Sequence, residues 1–229
     1  MKQWMLLLAA LIAFAPKSRA AGLNLAWDHC YGDGGVANKV FACDRNDGFE
    51  TLNASFVLAA PIVLSRQELL FDFQTRTGVP MPVWWDVQTG ASCRLNQIQV
   101  DSHPPADLSV CQSVVVSSDP GIIEIRYNFR LPTPDRTQYA VTLSGTGATL
   151  AAGVEYFSCR LVVSHQKSTG SGSCAGCSEP LAITFSGAAI RGGTTQTLTT
   201  PAAGNVVTWQ SLATPTRRSS WAALKTLFR

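Results

Sequence analysis

Residues 122–130, IIEIRYNFR, decide the fold class of this chain. Apolar and polar side chains alternate along the stretch, with Ile123, Ile125, Tyr127 and Phe129 on one face and Glu124, Arg126, Asn128 and Arg130 on the other. A period of two residues over this length predicts an antiparallel strand with one buried face and one face in water.

Similar patterns lie on both sides of this stretch. They predict strands at residues 23–27, 54–59, 68–73, 83–87, 95–100, 113–116, 138–143, 156–165, 181–186 and 206–209. Residues typical of turns separate them, and no helical period occurs between residues 21 and 214. We therefore predict one all-β domain over residues 21–214, an antiparallel β-sandwich of jelly-roll or immunoglobulin-like topology.

The amino terminus has the pattern of a signal peptide. Lys2 precedes an apolar run of eleven residues at 5–15 (MLLLAALIAFA), and Ser18 and Ala20 are small residues at a cleavage site. Eleven residues form a helix too short to cross a bilayer, so no transmembrane span is predicted here or later in the chain. We predict cleavage after Ala20 and a secreted, extracellular or cell-surface protein, with the periplasm as the alternative location.

The charge of the mature chain argues against nucleic acid as a partner. The whole chain has 18 basic and 15 acidic side chains. Lys2, Lys17 and Arg19 belong to the signal peptide, so 18 − 3 = 15 basic residues remain against 15 acidic ones. A neutral chain has no general electrostatic attraction for nucleic acid or anionic lipid.

Seven cysteines suit an oxidising compartment, where most of them are expected to form disulfides. Spacing does not fix their connectivity. The simplest prediction pairs sequence neighbours: Cys30–Cys43, Cys93–Cys111 and Cys174–Cys177. Cys159 is then left as a free, buried thiol on the inward face of a strand.

The sequence patterns that could indicate a redox or metal site are weak. Cys174 and Cys177 have the spacing of a redox dithiol, but no helix follows them, and a zinc site with Cys159 and His165 lacks a second paired set of ligands. Four acidic residues could gather around calcium if a Cys30–Cys43 bond drew their segments together: Asp28, Asp33, Asp44 and Asp47. We predict no cofactor and no metal.

Catalysis has no visible motif. The chain lacks a nucleophile elbow, a phosphate-binding loop and a zinc-protease signature, and its histidines, His29, His103 and His165, lie in three different segments. We predict that the protein is not an enzyme. A secreted hydrolase that uses two carboxylates is the third-ranked alternative, because such a pair has no spacing rule in sequence.

Trp84 and Trp85 are the candidate ligand-binding residues. On successive strand positions they would face opposite sides of a sheet, which would expose one ring as a stacking platform for a glycan. Burial of both rings is the simpler alternative, since tryptophan is highly buried on average.

Several motifs together resemble a group of uncharacterised secreted bacterial proteins. These are residues 23–30 (LNLAWDHC), 82–85 (PVWW), 90–94 (GASCR), 174–177 (CAGC) and the ending 221–229. The resemblance implies a secreted β-sandwich and carries no activity.

The carboxyl end differs from the domain. Residues 215–229 are basic without an acid, and their apolar side chains Trp221, Leu224, Leu227 and Phe228 fall on one stripe of a predicted short helix. This tail either packs on the domain, docks to another protein or the cell envelope, or serves as an export or attachment tag. We predict a structural or adhesive protein, with a cell-envelope protein or a glycan as partner, and a carbohydrate-binding module as the alternative.

Overall fold

The structure, a computed structural model, describes residues 20–75, 78–87, 92–114, 123–130, 133–144 and 147–210. Except for Ala20, the predicted signal peptide lies outside these residues, and so does the predicted helical tail. The fourteen strands among the described residues are β1 Gly22–Trp27, β2 Asn38–Lys39, β3 Phe49–Val57, β4 Ile62–Val63, β5 Arg66–Gln74, β6 Ile98–Asp101, β7 Gln112–Ser113, β8 Ile123–Arg130, β9 Arg136–Ser144, β10 Thr149–Leu150, β11 Glu155–Ser164, β12 Leu181–Arg191, β13 Thr195–Leu198 and β14 Val206–Trp209.

The strands form two large sheets and one small one. The first sheet has the order β1-β3-β11-β6, and β7 adds to β11 in parallel. The second has the order β2-β14-β12-β5-β9-β8, with β13 beside β12, and β4 pairs with β10. Most neighbours are antiparallel, so the predicted all-β class is confirmed.

Alternation along the strands builds the core. On β5, Leu69, Phe71 and Phe73 are fully buried, and Phe71 is opposite the buried Tyr139 on β9. Buried side chains of both large sheets belong to one continuous hydrophobic cluster. A period of two places every second side chain on the same face, which is why these strands could be predicted from the pattern.

The prediction of a strand at residues 83–87 is wrong. Val83–Trp85 is a short 3-10 helix, in which the N–H of Trp85 bonds the carbonyl of Pro82. Successive residues of such a turn are about a third of a turn apart, so neighbouring side chains need not face opposite sides. Both tryptophan rings can therefore enter the core.

Candidate functional site: a cross-linked loop end

The disulfides join distant segments of the chain. They are Cys30–Cys111, Cys43–Cys177 and Cys93–Cys174, with sequence separations of 81, 134 and 81 residues. The six predicted cysteines are the bridged ones, but the pairing of sequence neighbours is wrong for all three bonds. Neighbouring loops of this fold come from strands far apart in sequence, so loop cysteines meet partners that spacing cannot reveal.

Two of the bonds converge on the Cys-x-x-Cys segment. Cys174 bonds Cys93 and Cys177 bonds Cys43, so the segment joins two other loops instead of closing on itself. We call residues 40–48, 92–97 and 165–178 the cross-linked loop end. Covalent bonds hold its three loops together in the folded protein.

Both predicted ligand-binding tryptophans are buried beneath this loop end. Trp84 is 0% exposed and Trp85 is 1% exposed. Trp84 stacks on Trp209 with 5.2 Å between ring centroids, and its Nε1 donates to the hydroxyl of Ser168 at 3.1 Å. The glycan hypothesis required an exposed ring at position 84 or 85, and neither ring is available for stacking.

Arg94 is the central polar residue of the loop end. It is fully buried, and its guanidinium carbon lies 3.4 Å from the ring centroid of Trp84. It donates to the carbonyls of Trp84 at 2.8 Å and Gln166 at 3.1 Å, and also to the carbonyl of Ser164. Burial lowers its pKa to about 9. One side chain thus satisfies backbone acceptors from two segments.

His165 is buried in the same region. Its Nδ1 lies 2.8 Å from the carbonyl oxygen of Asp47, and its Nε2 lies 3.0 Å from Oε1 of Glu50. The ring stacks on Phe41 at 3.8 Å between centroids. With 1% of its side chain exposed, His165 cannot meet a substrate and instead ties residues 41–50 to the end of β11.

A chain of ion pairs continues from His165 toward β1. The other carboxylate oxygen of Glu50 lies 2.6 Å from Nζ of Lys39, and Lys39 lies 2.6 Å from Oδ1 of Asp28. Burial opposes the charge of Lys39, but the hydrogen bonds to Asp28 and Glu50 outweigh it and raise the pKa of the amine. These contacts hold β2 against β3.

The four aspartates considered for calcium do not gather. Asp28 bonds Lys39, while Asp33 accepts hydrogen bonds from residues 109–111. Asp44 and Asp47 are exposed, and the Cys30–Cys43 bond that would draw the four together does not form. Among the described residues, the only compact group of metal-ligating side chains is Cys30, Asp33 and Cys111, whose sulfurs are bonded to each other.

The other histidines lie elsewhere on the surface. His29 pairs with Asp107 at 3.1 Å, and His103 pairs with Asp101 at 2.8 Å. The three histidines remain apart, as their positions in sequence suggested.

Cys159 is the free cysteine of the described chain. It lies inside β11, and burial raises the pKa of its thiol to about 12. A thiol with this pKa is almost entirely protonated near neutral pH, so it is a poor nucleophile and a poor metal ligand.

Two small cavities lie among the described residues. One of about 230 Å³ is lined by Thr75, Val79, Glu179 and Pro180. Another, of about 260 Å³, is lined by Asn24, Tyr31, Gly32, Ala202 and Ala203. Ligand pockets usually measure about 300–1,000 Å³, so neither is a typical small-molecule site.

Sequence reasoning missed Arg94, Lys39 and Glu50. Arg94 follows Cys93 in an irregular stretch, where an arginine is ordinarily a surface residue, and no period marks it as buried. Lys39 belongs to a strand of two residues, too short to carry an alternating pattern. Their roles come from contacts between distant segments.

Comparisons of the chain with models of protein families, with curated proteins and with solved structures found no match.

Fold and site define the chain as an all-β protein with three disulfides. Disulfides form and persist in oxidising compartments, so these bonds indicate an environment of the extracellular type. The described residues include no helix with the length and hydrophobicity needed to cross a bilayer. The similarity to secreted bacterial proteins stays a prediction.

Proposed function

We propose that this chain is a secreted or cell-surface β-sandwich protein with an adhesive or structural role, and that it binds another macromolecule through the cross-linked loop end. One observation carries the proposal: exposed apolar side chains lie on or beside loops that disulfides hold together. They are Val40, Phe49, Val83 and Leu95, with exposures of 62%, 61%, 49% and 40%.

Contacts made by their chain neighbours place Val40, Phe49 and Val83 on or beside the cross-linked loops. Val40 and Phe49 are the chain neighbours of the ion-paired Lys39 and Glu50. The N–H of Trp84, next to Val83, bonds the carbonyl of Ala175 inside the Cys-x-x-Cys segment. Apolar surface on a soluble protein often marks a contact with a partner.

Rigidity supports a binding role. A loop that is already ordered loses little conformational freedom when a partner binds, so its contacts contribute more fully to affinity. Two disulfides and the buried Arg94 order these loops before any partner arrives. Binding residues commonly lie on loops positioned by a rigid scaffold.

The β-sandwich and the export are parts of the same proposal. Two large sheets that share one hydrophobic cluster are the expected result of sheet-on-sheet packing. The signal-like segment at residues 1–20 and the three disulfides support export. The basic tail, residues 215–229, would then attach the domain to the cell envelope or a second protein.

A glycan is the alternative partner. With both tryptophans buried, Phe49 is an aromatic ring beside the loop end that could stack on a sugar, because it is 61% exposed.

Binding of the purified mature chain to isolated cell envelopes, and in parallel to a glycan array, tests the proposal. The double variant Val40→Ser, Phe49→Ser should weaken binding at least tenfold. Val63→Ser is the matched control, because Val63 is 53% exposed but follows the opposite end of β3. The proposal fails if the double variant and the control bind alike, or if the native chain binds neither material.

A further inference from the structure

Two disulfides share the Cys-x-x-Cys segment of the loop end. Cys174 and Cys177 are separated by two residues in a turn, yet each bonds a cysteine from a different loop. Four cysteines in two bonds around one turn allow a different pairing in which Cys174 bonds Cys177. Pairs with this spacing readily form a local disulfide.

We propose that this segment is a redox relay: reduction of one of the two bonds moves the other onto Cys174–Cys177, so that a single two-electron reduction releases both loops. The reductant is a dithiol. The proposal goes beyond the binding role, because it concerns how the binding loops are locked and unlocked.

The chemistry balances in three steps. A thiolate of the dithiol attacks the sulfur of Cys93, the Cys93–Cys174 bond breaks, and Cys174 leaves as a thiolate. The second thiol of the dithiol displaces Cys93 as a free thiol and closes the reductant's own disulfide. The Cys174 thiolate then attacks the sulfur of Cys177, forms Cys174–Cys177 and expels Cys43 as a thiolate, which takes up a proton.

Exposure favours entry from the outer cysteines. Cys93 and Cys43 are partly exposed, whereas Cys174 and Cys177 are each 4% exposed. An external reductant therefore meets Cys93 or Cys43 first, and the inner cysteine becomes the leaving group. Entry at Cys43 releases Cys177, which attacks Cys174, so both routes give the same product.

The surroundings of Cys43 favour its release. Nε2 of Gln210 donates to the sulfur of Cys43 at 3.3 Å, which stabilises a developing thiolate there. Cys43 also has a left-handed backbone conformation with φ of 58°, uncommon for a residue other than glycine. Breaking the bond allows residues 42–44 to relax.

The turn itself suits a local bond. Gly176 has φ of 97°, and a Cβ at this position would lie 2.3 Å from Cβ of Pro82. Only glycine can make this tight turn, which keeps positions 174 and 177 near each other.

Limited reduction of the native full chain tests the relay. One molar equivalent of dithiothreitol is added, exchange is stopped with acid, and free thiols are alkylated before peptide mapping by mass spectrometry. We expect Cys43 and Cys93 to be alkylated together while Cys174–Cys177 appears as a new disulfide. The more distant Cys30–Cys111 bond should stay intact. Chains alkylated at Cys93 and Cys174 alone would overturn the proposal.

Two variants separate the relay from simple loss of a bond. Cys93→Ser and Cys174→Ser both remove the Cys93–Cys174 disulfide, but only Cys93→Ser leaves a thiol beside Cys177. Without any reductant, Cys93→Ser should contain Cys174–Cys177 and a free Cys43, whereas Cys174→Ser should keep Cys43–Cys177. Equal retention of Cys43–Cys177 in the two variants would also overturn the proposal. If neither variant folds, the native-chain experiment decides.

Discussion

In two irregular regions of this molecule, backbone groups form hydrogen bonds with charged side chains, and the two charges have opposite sign. Beside the Cys30–Cys111 bond, the carboxylate of Asp33 accepts hydrogen bonds from the N–H groups of residues 109–111 and from the hydroxyl of Ser109, at 2.6–3.1 Å. Beside the Cys93–Cys174 bond, the guanidinium of Arg94 donates to three backbone carbonyls. In each region a disulfide joins two loops. A charged side chain then forms hydrogen bonds with backbone groups that have no partner in a sheet.

The two regions differ in burial. Arg94 is fully buried, whereas Asp33 is only partly buried. Burial opposes ionisation of Asp33, but its hydrogen bonds outweigh that effect and lower the pKa of the carboxyl. For Arg94, burial lowers the pKa. Substitutions should therefore cost more stability at the loop end than beside Cys30–Cys111.

Loss of the disulfide that closes the longest loop should have the largest effect on stability. The double variant Cys43→Ser, Cys177→Ser opens a loop with a sequence separation of 134 residues. The unfolded chain gains conformational freedom, so the free energy of unfolding should fall by about 3–5 kcal/mol. Urea unfolding measures the change. A loss below about 1 kcal/mol would show that this bond adds little to stability.

Replacing the buried Arg94 should have the second-largest effect on stability. Arg94→Met leaves three carbonyls without their donor and should lower the free energy of unfolding by about 3–4 kcal/mol. Arg66→Met is the matched control on an exposed ion pair, with an expected change within about 0.5 kcal/mol. Similar urea midpoints for the two variants would contradict the role given to Arg94.

The carboxylate of Asp33 should contribute less to stability than Arg94 does. Its contribution should also depend on pH. Asp33→Asn should lower the free energy of unfolding by about 1–2 kcal/mol at pH 7. Because the folded pKa lies below the ordinary value of 3.8, this contribution is complete above about pH 4 and disappears as pH falls through the folded pKa. Urea unfolding between pH 7 and pH 2 should show the two proteins converging. A difference that does not depend on pH would exclude the carboxylate as its source.

The smallest effect belongs to the free cysteine. Cys159→Ala should lower the free energy of unfolding by about 1 kcal/mol, because it removes one buried sulfur and no cross-link. In the native protein the thiol should not react with a maleimide until urea unfolds the chain. Rapid labelling before unfolding would contradict its burial in β11.

Local patterns made much of the fold predictable. Strands β5, β9, β11 and β14 lie where period-two alternation predicted strands. Burial alternates along most of β5, whereas the first five residues of β11 are all buried. The two-residue strands β2, β4, β7 and β10 are too short to show a period, although residues 113–116 were predicted around part of β7.

The site was far less predictable. Local spacing suggested that Cys174 would bond Cys177, but strand order brings Cys43 and Cys93 to these positions. A pair of tryptophans after Pro82 looked like a strand, but the chain turns there and buries both. Long-range contacts decide each of these outcomes, and no short stretch of sequence encodes them.

Disulfide mapping of the unreduced protein tests the cross-linked loop end most directly. Trypsin cuts after Lys39, Arg45, Arg76, Arg94, Lys167 and Arg191, so Cys174 and Cys177 remain on one peptide, residues 168–191. With free thiols alkylated before digestion, to prevent exchange, this peptide should be bonded to both residues 40–45 and residues 77–94. Fragmentation between positions 174 and 177 should assign Cys93 to Cys174 and Cys43 to Cys177. A peptide 168–191 that carries its own internal disulfide and no partner would contradict the account.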